Sequence, residues 1–215
     1  MIVSESPKIE LLNCDCMELL KQTPDNYYSL SICDPPYGIG KKLLVGGNTG
    51  VVKFHEQYSL NEWDDNTPPK EYFLELFRVS KNQIIWGGNY FIEHLYNTRG
   101  IIFWDKNLGE PTNFSHFELA WTSFNCIARK VQISSNTGDR IHPTQKPVKL
   151  YRWLLKNYAK EGDKILDTHG GSMSSAIACH QMGFDLTLCE LDKDYYDAGV
   201  KRFREQTMQQ SLFKP

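Results

Sequence analysis

Short apolar runs alternate with amphipathic stretches along most of the chain. Ile9–Leu12 reads as a strand and Asp15–Leu20 as a helical turn. Tyr28–Cys33 is a strand that stops at Asp34-Pro35-Pro36-Tyr37, because tandem prolines end both helix and ladder. Residues 38–69 predict a long loop, with glycines near its start and Pro68-Pro69 at its end; loops of that length in a compact domain are usually functional or disordered. Glu71–Val79 fits a helix, and Gln83–Trp86 and Gly100–Trp104 fit strands. Phe117–Phe124 and Cys126–Ile133 read as two further strands paired with each other. From Pro147 the apolar period becomes helical through Leu150, Leu154, Leu155 and Tyr158. A strand over Asp163–Asp167, a glycine turn, a helix over Ser172–Met182, a strand over Phe184–Cys189 and a helix over Asp194–Gln206 complete the chain. This alternation predicts an α/β domain on a mostly parallel sheet.

Composition narrows the class. The chain has 215 residues, 40% hydrophobic and 23% charged, which fits one soluble domain over 1–215 and excludes global disorder and collagen-like chains. No apolar run is long enough for a bilayer, and MIVSESPKIE lacks a basic start followed by an apolar stretch. No membrane association and a cytoplasmic location are therefore expected. None of the six cysteines forms a C-x-x-C pair and the histidines show no H-x-x-x-H spacing, so free thiols and no metal are expected. The net charge of −2 gives no global reason to expect nucleic acid, but the charge is segregated. Residues 126–156 carry +6 and residues 1–37 carry −4, as a phosphate-facing surface requires.

Three segments carry candidate chemistry. Asp34-Pro35-Pro36-Tyr37 follows a strand, where ligands of parallel sheets bind. A carboxylate beside a rigid proline carbonyl makes a two-acceptor site for a planar NH2 group, and Tyr37 can stack on the ring bearing it; a proline-rich turn with a capping Asp is the plainer alternative. Asp167-Thr168-His169-Gly170-Gly171-Ser172 lies between a strand and a helix, a geometry that lets a ligand approach backbone. Glu190 ends the next strand, where an acid commonly holds ribose hydroxyls. His142-Pro143-Thr144-Gln145-Lys146-Pro147 is a stiffened helix start whose His142, Thr144 and Lys146 can hold a carboxylate.

Together these motifs resemble the amino-group DNA methyltransferases that use S-adenosylmethionine, in the permuted group called beta. In that group the DPPY motif precedes HPTQKP and the glycine motif. The resemblance covers nearly the whole chain and includes Ile84–Tyr90, Trp104–Lys106 and Phe117–Trp121. It implies a seven-stranded sheet with helices on both faces. It assigns Asp34, Pro35, Pro36 and Tyr37 to the target base, with Asp34 also bordering the cofactor. Asp167, Thr168, His169, Gly170, Gly171 and Ser172 would line the cofactor's methionine part, and Glu190 its ribose. Asp15 and Cys16 would meet its adenine, and His142, Thr144 and Lys146 its amino-acid end. One departure is visible: His169 stands where the family usually has Phe, and Met173 where it has the last Gly. If that position is left-handed, Met173 strains the turn or crowds the cofactor.

The implied reaction is methyl transfer to adenine N6 in DNA, since Asp opens the acceptor motif where N4-cytosine enzymes more often have Ser. N4-cytosine, RNA and protein-amide methylation stand as alternatives, as does a DNA-binding protein that has lost catalysis. Lys41, Lys42, Arg129, Lys130 and Arg140 are the expected DNA contacts. Residues 126–141 leave room only for a minimal target-recognition region. Gln209, Leu212 and Phe213 resemble the peptide with which bacterial proteins bind the sliding clamp, and a packed helix end is the alternative. The resemblance also allows a homodimer and a restriction-modification setting.

Overall fold

The computed structural model describes residues 6–39, 64, 66–109 and 115–211, the last three of these by backbone alone. Its strands are β1 (Ile9–Asn13), β2 (Tyr28–Cys33), β3 (Ser80–Trp86), β4 (Ile101–Asp105), β5 (Phe117–Thr122), β6 (Arg129–Gln132), β7 (Lys164–Asp167) and β8 (Asp185–Glu190). Its helices are α1 (Cys16–Gln22), α2 (Lys70–Val79), α3 (Val148–Tyr158), α4 (Ser174–Met182) and α5 (Lys193–Ser211). Among the described residues the strands form one eight-stranded sheet in the order β1-β8-β7-β2-β3-β5-β4-β6. Only β5 runs against the others.

Two expectations are corrected here. The sheet has eight strands rather than seven, and β6 pairs not with β5 but in parallel with the far side of β4. β5 has no free edge for β6, because it lies between β3 and β4 and bonds to both.

Alternation along the strands divides the core into two layers. Leu30, Ile32, Ile84, Trp86, Ile102 and Trp104 face a cluster completed by α3 and α4. Cys33, Ile85, Trp121 and Leu166 face the other cluster, with Tyr72, Phe73 and Leu76 of α2. Both faces are covered, as a mainly parallel sheet demands. No helix among the described residues is long and apolar enough to cross a membrane.

The connections place the site. From β2 the chain passes through α2 to β3 on one side, whereas from β7 it passes through α4 to β8 on the other. β2 and β7 are neighbours, so their carboxyl ends diverge and open a crevice at a topological switch point. Motifs far apart in sequence meet there.

Candidate active site

Asp34 leaves the end of β2 and faces a group of alternating charges. Lys146 Nζ lies 2.5 Å from Asp34 Oδ2 and 3.0 Å from Glu118 Oε2. The other Glu118 oxygen is 2.7 Å from Lys106 Nζ. Glu118 reaches this edge because β5 is antiparallel: its start pairs with the end of β4, Trp104 opposite Glu118. The Lys146 side chain is only 3% exposed, so its charge depends on these partners. Burial works against the ammonium, but Asp34 and Glu118 outweigh it and hold the Lys146 pKa above its ordinary value. Burial likewise opposes the Glu118 charge, yet Lys146 and Lys106 hold its carboxyl down at about 2. Burial pushes the Asp34 carboxyl up, with Lys146 pulling the other way.

Tyr37 completes this end. Its hydroxyl donates to Asp34 Oδ1 at 2.7 Å and accepts from Lys146 Nζ at 3.3 Å. Its ring stacks on Tyr90, with centroids 4.8 Å apart and planes 13° apart. The ring also lies over Gly87, where an added Cβ would stand 2.2 Å from a ring carbon; φ there is +69°, so glycine is required twice over. The backbone N–H groups of Tyr37 and Gly38 donate to Asp64 Oδ1 at 2.6 and 3.0 Å, which fastens the turn.

The other end is built from the turns after β1, β7 and β8. A cleft of about 510 Å³ is lined by Asp15, Cys16, Asp34, Pro36, His142, Thr144, Lys146, Thr168, His169, Gly170, Gly171, Ser172 and Glu190. Asp15 caps α1 by accepting from Met17 N–H at 2.8 Å. Glu190 accepts from the N–H groups of Gly171 and Asp192 at 2.7 and 2.9 Å. Burial raises its pKa. Gly170 has no room for a side chain: a Cβ would meet Leu188 at 2.2 Å. His142 is buried and neutral, its pKa pushed down to about 3 by burial first and the Lys146 charge second. Its Nδ1 accepts from Thr144 N–H at 3.3 Å, which leaves the proton on Nε2. Its ring packs 4.3 Å from that of Tyr195.

Asp167 is not a lining residue. It is buried behind the glycine turn, accepting from Ser175 Oγ at 2.6 Å and His169 N–H at 3.1 Å. Burial pushes its carboxyl up to about 7. Thr168 takes a hydrogen bond with Tyr72 at 2.7 Å and one with His169 at 2.9 Å. Met173 is left-handed, at φ 59°, which meets the condition under which strain was expected at this turn. It caps α4, is fully buried and packs against Gly199, so its side chain turns to α5.

Of the expected DNA contacts, Arg129 and Lys130 are exposed on the edge strand β6. Arg140 braces its own loop, donating to Pro143 O and Ser135 O at 2.7 and 3.0 Å. Lys41 and Lys42 lie outside the described residues, as do Leu212 and Phe213; the Gln209 side chain is likewise not described. Four site residues escaped the sequence reading: Glu118, Lys106, Asp64 and Arg202. Arg202 donates to Ser172 O at 2.6 Å and Asp139 Oδ2 at 2.7 Å, tying α5 to the glycine turn. Only Glu118 had a local signal, an acid in phase with buried Ala120 on a strand.

The arrangement is a nucleoside-sized cleft running from a glycine turn to a buried carboxylate beside a stacked tyrosine. Comparison with known proteins agrees. A sequence model described as DNA methylase, of the N6/N4 methyltransferase type, matches residues 83–201. The chain belongs to this family and is a DNA amino-methyltransferase. YubD of Escherichia coli K12 is 34% identical, with 91% of each chain covered. The M1.HpyAVI–SAM complex shares the fold at TM-score 0.62 and 18% identity, over 90% of this chain and 99% of that one. The cytosine-N4-specific PvuII DNA methyltransferase shares it at 0.63 and 13%, over 94% and 91%.

Proposed function

We propose that this protein transfers a methyl group from S-adenosylmethionine to the N6 amine of an adenine flipped out of DNA. The observation that carries this reading is one cleft with Asp34 at one end and the Gly170–Gly171 turn and Glu190 at the other. The residues suit the cofactor. Glu190 keeps lone pairs for ribose hydroxyls after accepting two N–H groups. Asp15 and Cys16 border the adenine end. His142, through Nε2–H, and Thr144 border the amino-acid end, while Lys146 is turned towards Asp34. The likeness to a structure titled as a SAM complex supports the same choice.

S-adenosylmethionine supplies an already activated sulfonium methyl, so the protein must mainly align the acceptor. An aromatic amine is a poor nucleophile because its lone pair is delocalised. Asp34 and the Pro35 carbonyl accept from its two N–H bonds and favour a pyramidal nitrogen. Transfer breaks the S–CH3 bond and makes N–CH3, and the surplus amine proton passes to Asp34 or water. Flipping costs a few kcal/mol, which stacking on Tyr37, worth about 1–3 kcal/mol, partly offsets once its ring leaves its contacts with Tyr90 and Gly87. Asp34 at the head of the motif favours adenine over cytosine. Arg129 and Lys130 face the phosphates, and residues 126–141 read a short target. Contact with the sliding clamp through Gln209, Leu212 and Phe213 is the accompanying partner proposal.

The test is transfer of labelled methyl to DNA and RNA, followed by nucleoside analysis. N6-methyladenine in DNA is the expected product. N4-methylcytosine alone overturns the base, and label confined to RNA overturns the substrate.

A further inference from the structure

Tyr37's hydroxyl occupies an unusual position. It donates to Asp34 Oδ1 and accepts from Lys146 Nζ, so one atom satisfies an acceptor and a donor held side by side. The ammonium also donates to the second carboxylate oxygen, Asp34 Oδ2, at 2.5 Å, which keeps carboxylate and ammonium side by side. The exocyclic amine and adjacent ring nitrogen of adenine present the same pair in mirror: an N–H donor beside a lone pair. Cytosine N4 and N3 do likewise. Thymine and guanine reverse the pattern, setting a carbonyl against the carboxylate and an N–H against the ammonium.

We propose that Lys146 is a base-reading residue: with Asp34 it forms an acceptor–donor pair for the amine and adjacent ring nitrogen, and the Tyr37 hydroxyl holds that place until the base arrives. The proposal rests on the acceptor end of the cleft being the base site. Lys146 is suited to this role because it lines the cleft yet is held by Asp34 and Glu118. Two of its three N–H bonds are committed to carboxylates, and among the described residues the third makes only the long contact to Tyr37. Glu118, fixed by Lys106, keeps the ammonium charged and aimed when the base takes over that contact. A fully buried donor left without its partner is costly, so a base lacking the ring acceptor is rejected.

The experiment uses oligonucleotides in which the target base, identified by nucleoside analysis, carries C–H in place of the ring nitrogen. For adenine this is 1-deazaadenine, and for cytosine 3-deazacytosine. The change leaves the amine in place and makes it more electron-rich, so intrinsic reactivity favours the analogue. The unaltered protein is expected to lose about tenfold or more in kcat/KM on the analogue, while 7-deazaadenine, altered on the other edge, is used normally. Equal use of parent base and 1-deaza analogue overturns the proposal without touching the methyltransferase reading, which fails only if no methyl is transferred. Lys146→Met is expected to bring the parent-to-analogue ratio close to one, and an unchanged ratio overturns the proposal. Should Lys146→Met not fold, Lys146→Arg keeps the charge but displaces the donor. It is expected to shrink the ratio, and an unchanged ratio there is equally fatal.

Discussion

The two ends of the cleft solve opposite electrostatic problems. At the acceptor end, Asp34, Lys146, Glu118 and Lys106 alternate in sign, each within 3.0 Å of the next. Charge is balanced within the protein, and what the ends of the chain of contacts offer a ligand is hydrogen-bonding geometry. At the cofactor end, Asp167 and Glu190 are met by hydroxyl and backbone N–H donors. Burial raises both carboxyls, Asp167 to about 7. The imidazoles nearby are neutral, His142 at about 3 and His169 at about 4, both through burial. With the Glu190 carboxylate on the cleft wall, met by backbone N–H groups rather than a cation, that end favours a cationic ligand, whereas the other favours a neutral planar one. Such a division suits a sulfonium donor and an aromatic amine, and it implies that the two ends can be broken separately.

Asp34→Ala is the sharpest break. It removes the acceptor for the amine and leaves Lys146 with one carboxylate partner. Transfer is expected to fall by at least about 10²–10⁴-fold. S-adenosylmethionine affinity, read by calorimetry, should stay within a few-fold, because Asp34 only borders the cofactor side of the cleft. A parallel collapse of affinity would show that the two ends are one electrostatic unit.

Glu190→Ala makes the converse break. It removes the ribose acceptor and frees the N–H groups of Gly171 and Asp192. Hydrogen bonds to a charged group are worth about 1.5–3 kcal/mol, so cofactor affinity should drop about tenfold or more. Turnover at saturating cofactor should change much less. A variant that loses turnover while keeping affinity would assign Glu190 to the chemistry.

What could be foreseen follows the same division. Prolines and glycines act locally, so the turns after β2 and β7, which meet at the cleft, were legible as turns from sequence. The parallel sheet was legible too, from alternating strand and helix periods. The charge partners were not. Glu118 and Lys106 join the Asp34–Lys146 pair through antiparallel pairing of β5 with β4 and β3; the acid in phase with Ala120 was visible in the sequence, but the long-range event that gives it partners was not. The same blindness produced the wrong partner for β6, whose sequence reads as the second arm of a hairpin but adds to β4. HPTQKP marked Lys146 as important, yet nothing in the segment says which of several carboxylates its ammonium meets. Asp64, fastening the Tyr37 turn, was hidden inside what read as loop.

The smallest predicted effect concerns the departure at Met173, which bears on the cofactor end alone. A non-glycine residue at φ 59° costs about 1–2 kcal/mol. The side chain offsets this by filling the space beside Gly199, where a Cβ would lie 2.6 Å from Met173 Cγ and 3.0 Å from Gly171 O. Met173 and Gly199 thus behave as one packing unit under the glycine turn. Gly199→Ala should destabilise the protein by about 1–3 kcal/mol, the usual cost of overpacking. In a Met173→Gly background most of the steric conflict is gone, and Ala at 199 gains the helix propensity that Gly lacks, about 1 kcal/mol. Only the milder approach to Gly171 O persists. Urea denaturation of the four proteins gives the coupling between the two sites. Coupling near zero would mean that the clash is relieved elsewhere. A large coupling with unchanged Asp34-dependent turnover at saturating cofactor would show that strain stored under the glycine turn stays at its own end of the cleft.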